Sequence, residues 1–383
     1  MDNLTHSLIG LAASKAGLEK LSPGATTLCI LAANSPDADI VTLYFGGRWA
    51  FLHHHRGITH SIVGAFVLAL ALPLIFYLAD RIIARLRKRG PTVKLYGLLI
   101  ASIIATATHP LMDWTNNYGM RFLLPWSSRW SYGDFVFIID PFIWIILGGA
   151  AFLLTSKTKK QIILWVLLAL ISSYLVLVGP SRLTQVANAT VIRAFWLVAL
   201  IVVSTLYWKK VGLRLGSKVA VAALATVVIY LAGLAFAHSL ALRQAETVAA
   251  DLAGRNAEQV VKLAAMPTVA NPTEWICAME TDRASYRFSV SLLRTGAGSA
   301  DISRFEKPTG RKAEAVAQAE RDYRSQVFLG FARFPALNVV GEDCATQTLV
   351  QFADIRYTEP GRGSGTFSLE VPVDCPVDNA TEK

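Results

Sequence analysis

The residues best suited to chemistry in this chain lie in one run, His53-His54-His55-Arg56-Gly57-Ile58-Thr59-His60-Ser61. Four of the seven histidines fall within it, and a long apolar stretch begins directly afterwards. Imidazole is a common metal ligand and also titrates near neutral pH, so the cluster indicates either a metal site or a proton relay. A solvated loop is the third interpretation, and the other polar residues must distinguish among them.

Two spacings favour the metal site. His109 and Asp113 are four residues apart, which places an imidazole and a carboxylate on one face of a helix, although a structural pair between helices would have the same spacing. His55 and His60 flank a turn at Gly57, so both rings can point inward from the start of a helix. A mixed set of imidazole nitrogens and carboxylate oxygens suits zinc, with manganese and iron left open.

Acidic and basic groups near the histidines extend this site. Asp37 and Asp39 lie in a Pro-Asp-Ala-Asp segment and point to opposite sides unless the segment turns. Arg56 would clamp a phosphoryl oxygen beside a metal, or else contact a lipid phosphate. His53 and His54 have no spacing that sets them apart from solvated histidines.

The composition is that of a membrane protein. Of the 383 residues, 53% are apolar and only 17% are charged, whereas about 25% charged residues is usual in soluble domains. Residues 1–238 hold 21 lysines and arginines against 8 acidic residues, and residues 239–383 hold 16 against 19. The positive charge therefore belongs to the apolar half, and the acidic second half argues against nucleic-acid binding.

Apolar segments predict a polytopic bundle of membrane helices. Leu4–Leu18 and Ala25–Pro36 are short and predict a helical hairpin sunk part-way into the bilayer. Each later segment is close to the roughly 20 residues that a spanning helix needs. These five or six candidates are Ser61–Ala79, Leu95–Asp113, Phe135–Thr155 (which contains Asp140-Pro141), Gln161–Gly179, Ile192–Trp208 and Val219–His238.

Charge in the connecting loops predicts the orientation. Loops on one side hold fifteen lysines and arginines, whereas those on the other hold five, namely Arg48, Arg56, Arg121, Arg129 and Arg182. The positive-inside rule makes the first side cytoplasmic, so the histidine run and the chain after His238 are expected outside. The same topology brings His60, His109, Asp113 and the Asp37/Asp39 pair to one membrane face. Ionisable groups at a membrane boundary are costly, which favours a functional site.

The remainder of the chain predicts a small domain. The fold class is therefore mainly α, a polytopic membrane helical bundle (residues 1–238) followed by a helical connector (239–264) and a small α+β extramembrane domain (265–383). Strands are expected at Tyr286–Leu293, Thr348–Tyr357 and Thr366–Pro372, and a helix at Ala313–Leu329. Two of Cys277, Cys344 and Cys375 would pair in a disulfide if this domain faces an oxidising compartment.

Several motifs resemble a known family. Met1-Asp2-Asn3-Leu4-Thr5-His6-Ser7-Leu8-Ile9-Gly10, Pro36-Asp37-Ala38-Asp39, His55-Arg56-Gly57-Ile58-Thr59-His60-Ser61 and His109-Pro110-Leu111-Met112-Asp113 look like the motif series of the predicted inner-membrane metal-dependent hydrolases. Asn117-Tyr118-Gly119 and Asp140-Pro141 resemble later elements of that family, and Arg333-Phe334-Pro335 and Asp354-Ile355-Arg356-Tyr357 resemble its soluble tail. A more distant similarity is to zinc-dependent phospholipase C and P1-type nucleases.

The resemblance implies an inner-membrane protein with a resident metal, zinc above all. It implies metal ligands at His6, Asp37 or Asp39, His55, His60, His109 and Asp113. The sequence then predicts a hydrolase of phosphoesters, with phospholipid-like molecules as candidate substrates. Asp37 or Asp39 would orient or deprotonate water, and Arg56 would neutralise developing charge.

Two other functions fit the same residues. A transporter or channel would use the histidine and aspartate set as an ion or proton relay, but it is expected to have an internal repeat and a mid-span site, and neither is evident. A non-catalytic scaffold would hold the metal as a purely structural element with no open coordination position.

Overall fold

Apolar helices make up most of the first 255 residues of the chain. The computed structural model describes residues 1–178, 189–294, 302–341, 348–362 and 365–374; Arg182, Cys344 and Cys375 lie outside these ranges. Within them the helices of this part are α1 (Asn3–Ala16), α2 (Ala25–Asn34), α3 (Val41–His54), α4 (Ile62–Leu86), α5 (Leu95–Trp114), α6 (Pro141–Thr155), α7 (Lys159–Val178), α8 (Ala189–Trp208), α9 (Val211–Leu215) and α10 (Ser217–Arg255).

Five helices of the described residues are long and apolar enough to cross a membrane: Ile62–Leu86, Leu95–Trp114, Lys159–Val178, Thr190–Trp208 and Ser217–Arg255. The predicted fold class is confirmed, since these helices precede a small domain with two β-sheets. Helix α6, at Pro141–Thr155, is shorter than a typical spanning helix.

The bounds of two predicted spans are wrong. The segment expected at Phe135–Thr155 begins as a helix only at Pro141, because Asp140 caps it by accepting hydrogen bonds from the backbone amides of Phe142 and Ile143 at 2.8 and 3.1 Å. The segment expected to end at Ala79 continues as α4 to Leu86. The segment Val219–His238 lies within α10, which continues to Arg255 through residues that were expected to form a helical connector. Neither charge nor the end of an apolar run is a helix stop by itself.

The chain folds as two compact units. The first consists of Met1–Asp39, Arg56–Ala237 and Pro267–Pro272, and the second of Ile40–His55, His238–Met266 and Thr273–Lys383. Helix α3 of the second unit was not expected, and it places His53 and His54 in its last turn instead of in a loop. Its aromatic and glycine-rich sequence has no amphipathic period, and Gly47 at φ 68° interrupts it.

Small side chains bring the helices of the first unit close together. Ala25, Leu28, Cys29 and Ala32 of α2 are buried against one face of α5, which presents Leu98, Ala101 and Ala105. On α1, a Cβ atom at Gly10 would lie 2.5 Å from the carbonyl oxygen of Cys29, so only glycine permits this approach of α1 to α2. The ends of α2 and α5 are thereby held side by side.

Among the described residues after α10, the strands form two sheets. Strands β1 (Val260–Thr268), β2 (Asn271–Thr281), β3 (Ala284–Ser291) and β4 (Ser303–Glu306) form one sheet in the order β1-β2-β3-β4, and β5 (Pro335–Val340), β6 (Thr348–Asp354) and β7 (Ser368–Val373) form the other in the order β5-β6-β7. Residues 260–264, expected in a helical connector, are strand. The sequence did not predict β1, β2, β4 or β5.

The helix expected at Ala313–Leu329 is two helices, α11 (Arg311–Ala319) and α12 (Tyr323–Phe331). Asp322 separates them because its side chain accepts a hydrogen bond from the backbone amide of Arg324 at 2.7 Å and begins a new helix. Cys277 is buried with a free thiol in the described structure, and the predicted disulfide stays a prediction.

Candidate metal centre

Three short segments of the first unit carry the candidate ligands. Asp37 and Asp39 lie in a 3-10 turn, Ser35–Ile40, which directly follows α2. His60 ends a second 3-10 turn, Ile58–His60, and the next residue caps α4 with its hydroxyl. The last two turns of α5 present His109 and Asp113 on one face, as their spacing predicts.

Four side chains bring their donor atoms together. One ligand atom from each of Asp37, His60, His109 and Asp113 lies within 4.8 Å of the others. His60 Nε2 is 3.2 Å from Asp37 Oδ1 and 3.5 Å from Asp113 Oδ2. His109 Nε2 is 3.6 Å from Asp37 Oδ1 and 3.5 Å from Asp113 Oδ2. Two imidazole nitrogens and two carboxylate oxygens therefore face one point.

The four residues are almost completely enclosed. His60 and His109 are fully buried and Asp113 is 1% exposed, whereas the Asp37 side chain is 16% exposed. Burial alone would raise the pKa of Asp37, but contacts with His109 and His60 outweigh it and hold that pKa far below its ordinary value. A carboxylate binds a metal ion in its ionised form, so the direction of this shift is compatible with Asp37 as a ligand.

Contacts on the far side of each imidazole fix its tautomer. His109 Nδ1 lies 2.7 Å from the carbonyl oxygen of Ala33, which can only accept, so Nδ1 carries the proton and Nε2 keeps its lone pair. His60 Nδ1 lies 3.3 Å from Asp39 Oδ2 and 3.0 Å from the hydroxyl of Thr59. Such contacts are typical of metal-bound histidines, whose second nitrogen donates to a carboxylate or carbonyl.

Asp37 and Asp39 thus approach opposite nitrogens of the same ring. The 3-10 turn brings both carboxylates to His60, Asp37 on Nε2 and Asp39 on Nδ1. Asp39 also accepts a hydrogen bond from the backbone amide of Arg56 at 3.1 Å. In this arrangement Asp37 is one of the four donors of the cluster, and Asp39 orients the imidazole ring of His60 from its other side.

The guanidinium of Arg56 is buried behind the cluster, with 1% of the residue exposed. It donates to Asp113 Oδ1 at 3.1 Å, to the Asp113 carbonyl at 3.2 Å and to Asn116 Oδ1 at 2.8 Å. Tyr118 lies beneath it, with the ring centroid 4.7 Å from Cζ. These contacts fix Oδ1 of Asp113 and leave Oδ2 directed at His60 and His109.

His6 lies against the cluster without joining its four donor atoms. Its ring stacks on His109 with centroids 3.8 Å apart, and Nε2 is 3.3 Å from Asp113 Oδ1. His55 follows the last residue of α3, in the second unit, and stacks on Phe51 at 4.5 Å. Ligation by His6 and by His55 remains a prediction. His53 and His54 are exposed, with their rings edge to face.

The donor set fits a divalent metal ion. His109 Nε2 is buried and has no hydrogen-bond partner among the described residues, although it faces two carboxylates. A buried polar atom in this position is costly unless something occupies the point that it faces. Two imidazoles and two carboxylates suit zinc and admit manganese or iron.

Three contributors to the site escaped the sequence interpretation, namely Ala33, Thr59 and Asn116. Ala33 acts through its carbonyl oxygen, and no side-chain pattern reveals a main-chain acceptor. Asn116 follows Asp113 by three residues, about one helical turn. This spacing could have indicated that Asn116 lies near the site. Thr59 neighbours a predicted ligand but has no metal-binding group of its own.

The chain is similar to a family of inner membrane proteins and to two bacterial proteins. Residues 1–209 match a family model described as "YdjM inner membrane protein". The chain is 28% identical over 155 residues to the uncharacterized protein YfhP of Bacillus subtilis (strain 168), covering 38% of this chain and 43% of that protein. It is 30% identical over 129 residues to the inner membrane protein YbcI of Escherichia coli (strain K12), covering 33% of this chain and 68% of that protein. No solved structure matches.

Proposed function

The chain belongs to the YdjM inner membrane protein family, and we propose that it is a membrane-bound metal-dependent hydrolase of phosphoesters. The observation that carries the proposal is the convergence of donor atoms from Asp37, His60, His109 and Asp113 within 4.8 Å. The matched region contains all four residues, so the site lies within the family domain. The chain spans 43% of the length of YfhP, and that relative's name gives no activity to transfer.

The four residues would hold one divalent ion, with zinc the best match to the donor set. Such an ion supplies Lewis-acid chemistry, which polarises a phosphoryl oxygen and lets water ionise near about pH 7. The chain must contribute the remaining elements of the reaction, which are orientation of the water, charge compensation and access for the substrate.

Asp37 is the best placed of the four residues to orient the attacking water. Its side chain is the most exposed of the four, so it can accept a hydrogen bond from a water molecule that enters the site. Asp39 is turned to the other side of His60 and acts as a positioning residue. Arg56 holds Asp113 and compensates part of the negative charge that two carboxylates and a phosphoryl group bring together.

The membrane suggests the class of substrate. The site is built from the ends of α2 and α5 and the start of α4, and α4 and α5 are both long and apolar enough to span a bilayer. A phosphoester attached to a lipid would be concentrated at such a site by its own insertion into the membrane. Phospholipid-like molecules are therefore the first substrates to test.

A second candidate function is a scaffold with a structural metal. It is favoured by the completeness of the site, because four side-chain donors already satisfy tetrahedral zinc, and three of the four residues are at most 1% exposed. A structural ion would exchange slowly and would leave no position for water. The partial exposure of Asp37 separates the two functions, since a catalytic site requires that ligand to admit water.

The test is hydrolysis by the full chain in detergent or nanodiscs, after loading with Zn²⁺ or Mn²⁺. Phospholipids and bis(p-nitrophenyl) phosphate serve as substrates, and Asp37→Asn and His54→Ala are compared with the wild type. The proposal expects turnover that a chelator and Asp37→Asn abolish and that His54→Ala leaves unchanged. Metal-loaded, folded protein that hydrolyses none of these substrates would favour the scaffold instead.

A further inference from the structure

The first unit contains a basic cavity, and none of the residues that line it belongs to the candidate metal centre. It has a volume of about 700 Å³ and is lined by the ends of α1 and α6, the end of α8 and the short helix α9. Small-molecule sites typically enclose about 300–1,000 Å³, so this cavity can accept a headgroup-sized ligand.

Four lysines from separate segments line this cavity: Lys15, Lys20, Lys157 and Lys210. Lys15 is neutralised by Glu19, the acidic residue of the lining, through a contact of 2.6 Å. Lys20, Lys157 and Lys210 have no ion-pair partner within the described ranges. Three uncompensated ammonium groups around one cavity create a strongly positive potential, which attracts an anion.

The walls combine polar and apolar surfaces. Leu153, Leu213, Tyr207 and Trp208 line the cavity beside the lysines, and Trp208 and Leu213 are otherwise 80% and 76% exposed. Exposed aromatic residues beside lysines at the ends of apolar helices are typical of the membrane interface. The hydroxyl of Ser156 also lines the cavity and has no hydrogen-bond partner in the described structure. The lining therefore offers donors for an anion and an apolar face for acyl chains.

The cavity is fixed in shape by close packing. A Cβ atom at Gly212 of α9 would lie 2.1 Å from the carbonyl oxygen of Leu153 in α6. Only glycine allows α9 to pack against α6 at this distance, and α9 in turn closes one side of the cavity. This contact fixes the side of the cavity that α9 forms.

We propose that this cavity binds the phosphate of an anionic phospholipid headgroup. Basic pockets between membrane helices on the cytoplasmic side are suited to such headgroups, and the positive-inside rule assigns these lysine-rich loops to that side. A free phosphate ion shares the chemistry that the lysines recognise. The apolar wall formed by Trp208 and Leu213 favours the lipid. The proposal does not depend on the metal centre or on hydrolysis.

The test uses the full chain in a neutral detergent, titrated with phosphatidylglycerol, phosphatidylcholine or inorganic phosphate, with bound lipid counted by native mass spectrometry. The variant is Lys20→Gln with Lys157→Gln and Lys210→Gln. The control is Lys159→Gln with Lys160→Gln and Lys209→Gln, which removes the same charge from exposed neighbours that do not line the cavity.

We expect one tightly held phosphatidylglycerol per chain, bound in preference to phosphatidylcholine. The cavity variant should weaken that binding by roughly tenfold or more, because it removes three positive charges that face the headgroup, and the control by less than about twofold. Equal weakening by both triple variants, or no preference over phosphatidylcholine, would overturn the proposal. Displacement of the lipid by low millimolar inorganic phosphate would identify a soluble anion as the ligand and would also overturn it. Metal content should be the same in all three proteins.

Discussion

Asp39 and His60 form the contact that best distinguishes an organised metal site from a chance cluster of polar residues. Asp39 Oδ2 lies 3.3 Å from His60 Nδ1, on the side of the ring away from the nitrogen that faces Asp37 and Asp113. A carboxylate in this position holds the proton on Nδ1 and leaves Nε2 free to ligate. The same relationship recurs at His109, where a main-chain carbonyl replaces the carboxylate.

Asp39 and Asp37 should therefore differ in their effect on metal affinity. Asp39→Asn keeps the shape of the side chain but weakens the orientation of His60, and we expect about a 10–100-fold loss of zinc affinity. Asp37→Asn replaces a donor of the cluster itself and should cost more. Competition with a chelator of known affinity measures both. Equal losses for the two variants would contradict the different roles assigned here.

Gly64 should control the metal site without contributing a ligand. A Cβ atom there would lie 1.8 Å from the carbonyl oxygen of Ile58, in the turn that presents His60. Gly64→Ala must displace this turn, and we expect a stability loss of about 1–3 kcal/mol together with reduced metal content. Gly233→Ala is the matched control, because its added Cβ has no described atom within 4 Å apart from its chain neighbours and the backbone of its own helix. The account fails here if both variants retain metal equally.

Glu258 should make the second unit sensitive to acid. Its carboxylate accepts hydrogen bonds from Arg304 at 2.6 Å and from Thr281 and Tyr286 at 2.8 Å. Burial would raise the pKa of Glu258, but these bonds outweigh it and lower that pKa below its ordinary value of 4.5. The stabilisation is therefore complete above about pH 4.5 and is lost as the pH falls through the lower folded pKa.

Hydrogen exchange of β1–β4 in the full chain, corrected for intrinsic rates, measures this effect. We expect protection to fall below about pH 4.5 in the wild type. Glu258→Gln should lower the free energy of unfolding by about 1–3 kcal/mol near neutral pH and flatten the acid dependence. Glu306→Gln is the control, because Glu306 also contacts Arg304 but its side chain is 77% exposed. An unchanged acid dependence in Glu258→Gln would refute the assignment.

The orientation predicted from the loop charges can be tested by cysteine labelling. In a chain whose native cysteines are replaced by alanine, Ser128→Cys and Arg87→Cys introduce thiols at exposed positions that follow and precede α5 in the chain. We expect a membrane-impermeant maleimide to label position 128 in intact cells and position 87 only after permeabilisation. The reverse pattern would place the metal centre in the cytoplasm.

The sequence predicted the helical membrane bundle well because long apolar runs leave few alternatives. It also selected His60, His109 and Asp113, since an i,i+4 pair and a common membrane level both bring side chains together before any packing is known. The separate roles of Asp37 and Asp39 could not be predicted, because they depend on a 3-10 turn that redirects both carboxylates to one ring.

Other features depended on tertiary packing. The side chain of Arg56 is buried because Asp113 and Asn116 accept its hydrogen bonds. The position of an arginine in a loop motif does not reveal whether such acceptors surround it. Helix α3 and strands β1 and β2 were missed because their sequences lack a clear period. The sequence interpretation therefore predicted the clustered side chains better than their supporting contacts.

The most direct test of the central claim is the metal content of the full chain purified without chelators. Wild type is compared with a His60→Ala, Asp113→Ala double variant and with a His53→Ala, His54→Ala control, which removes two exposed histidines from the same motif. We predict about one divalent ion per chain in the wild type and the control, and little in the His60→Ala, Asp113→Ala protein. Folded wild-type protein that takes up no metal, or a double variant that keeps it, would contradict the account.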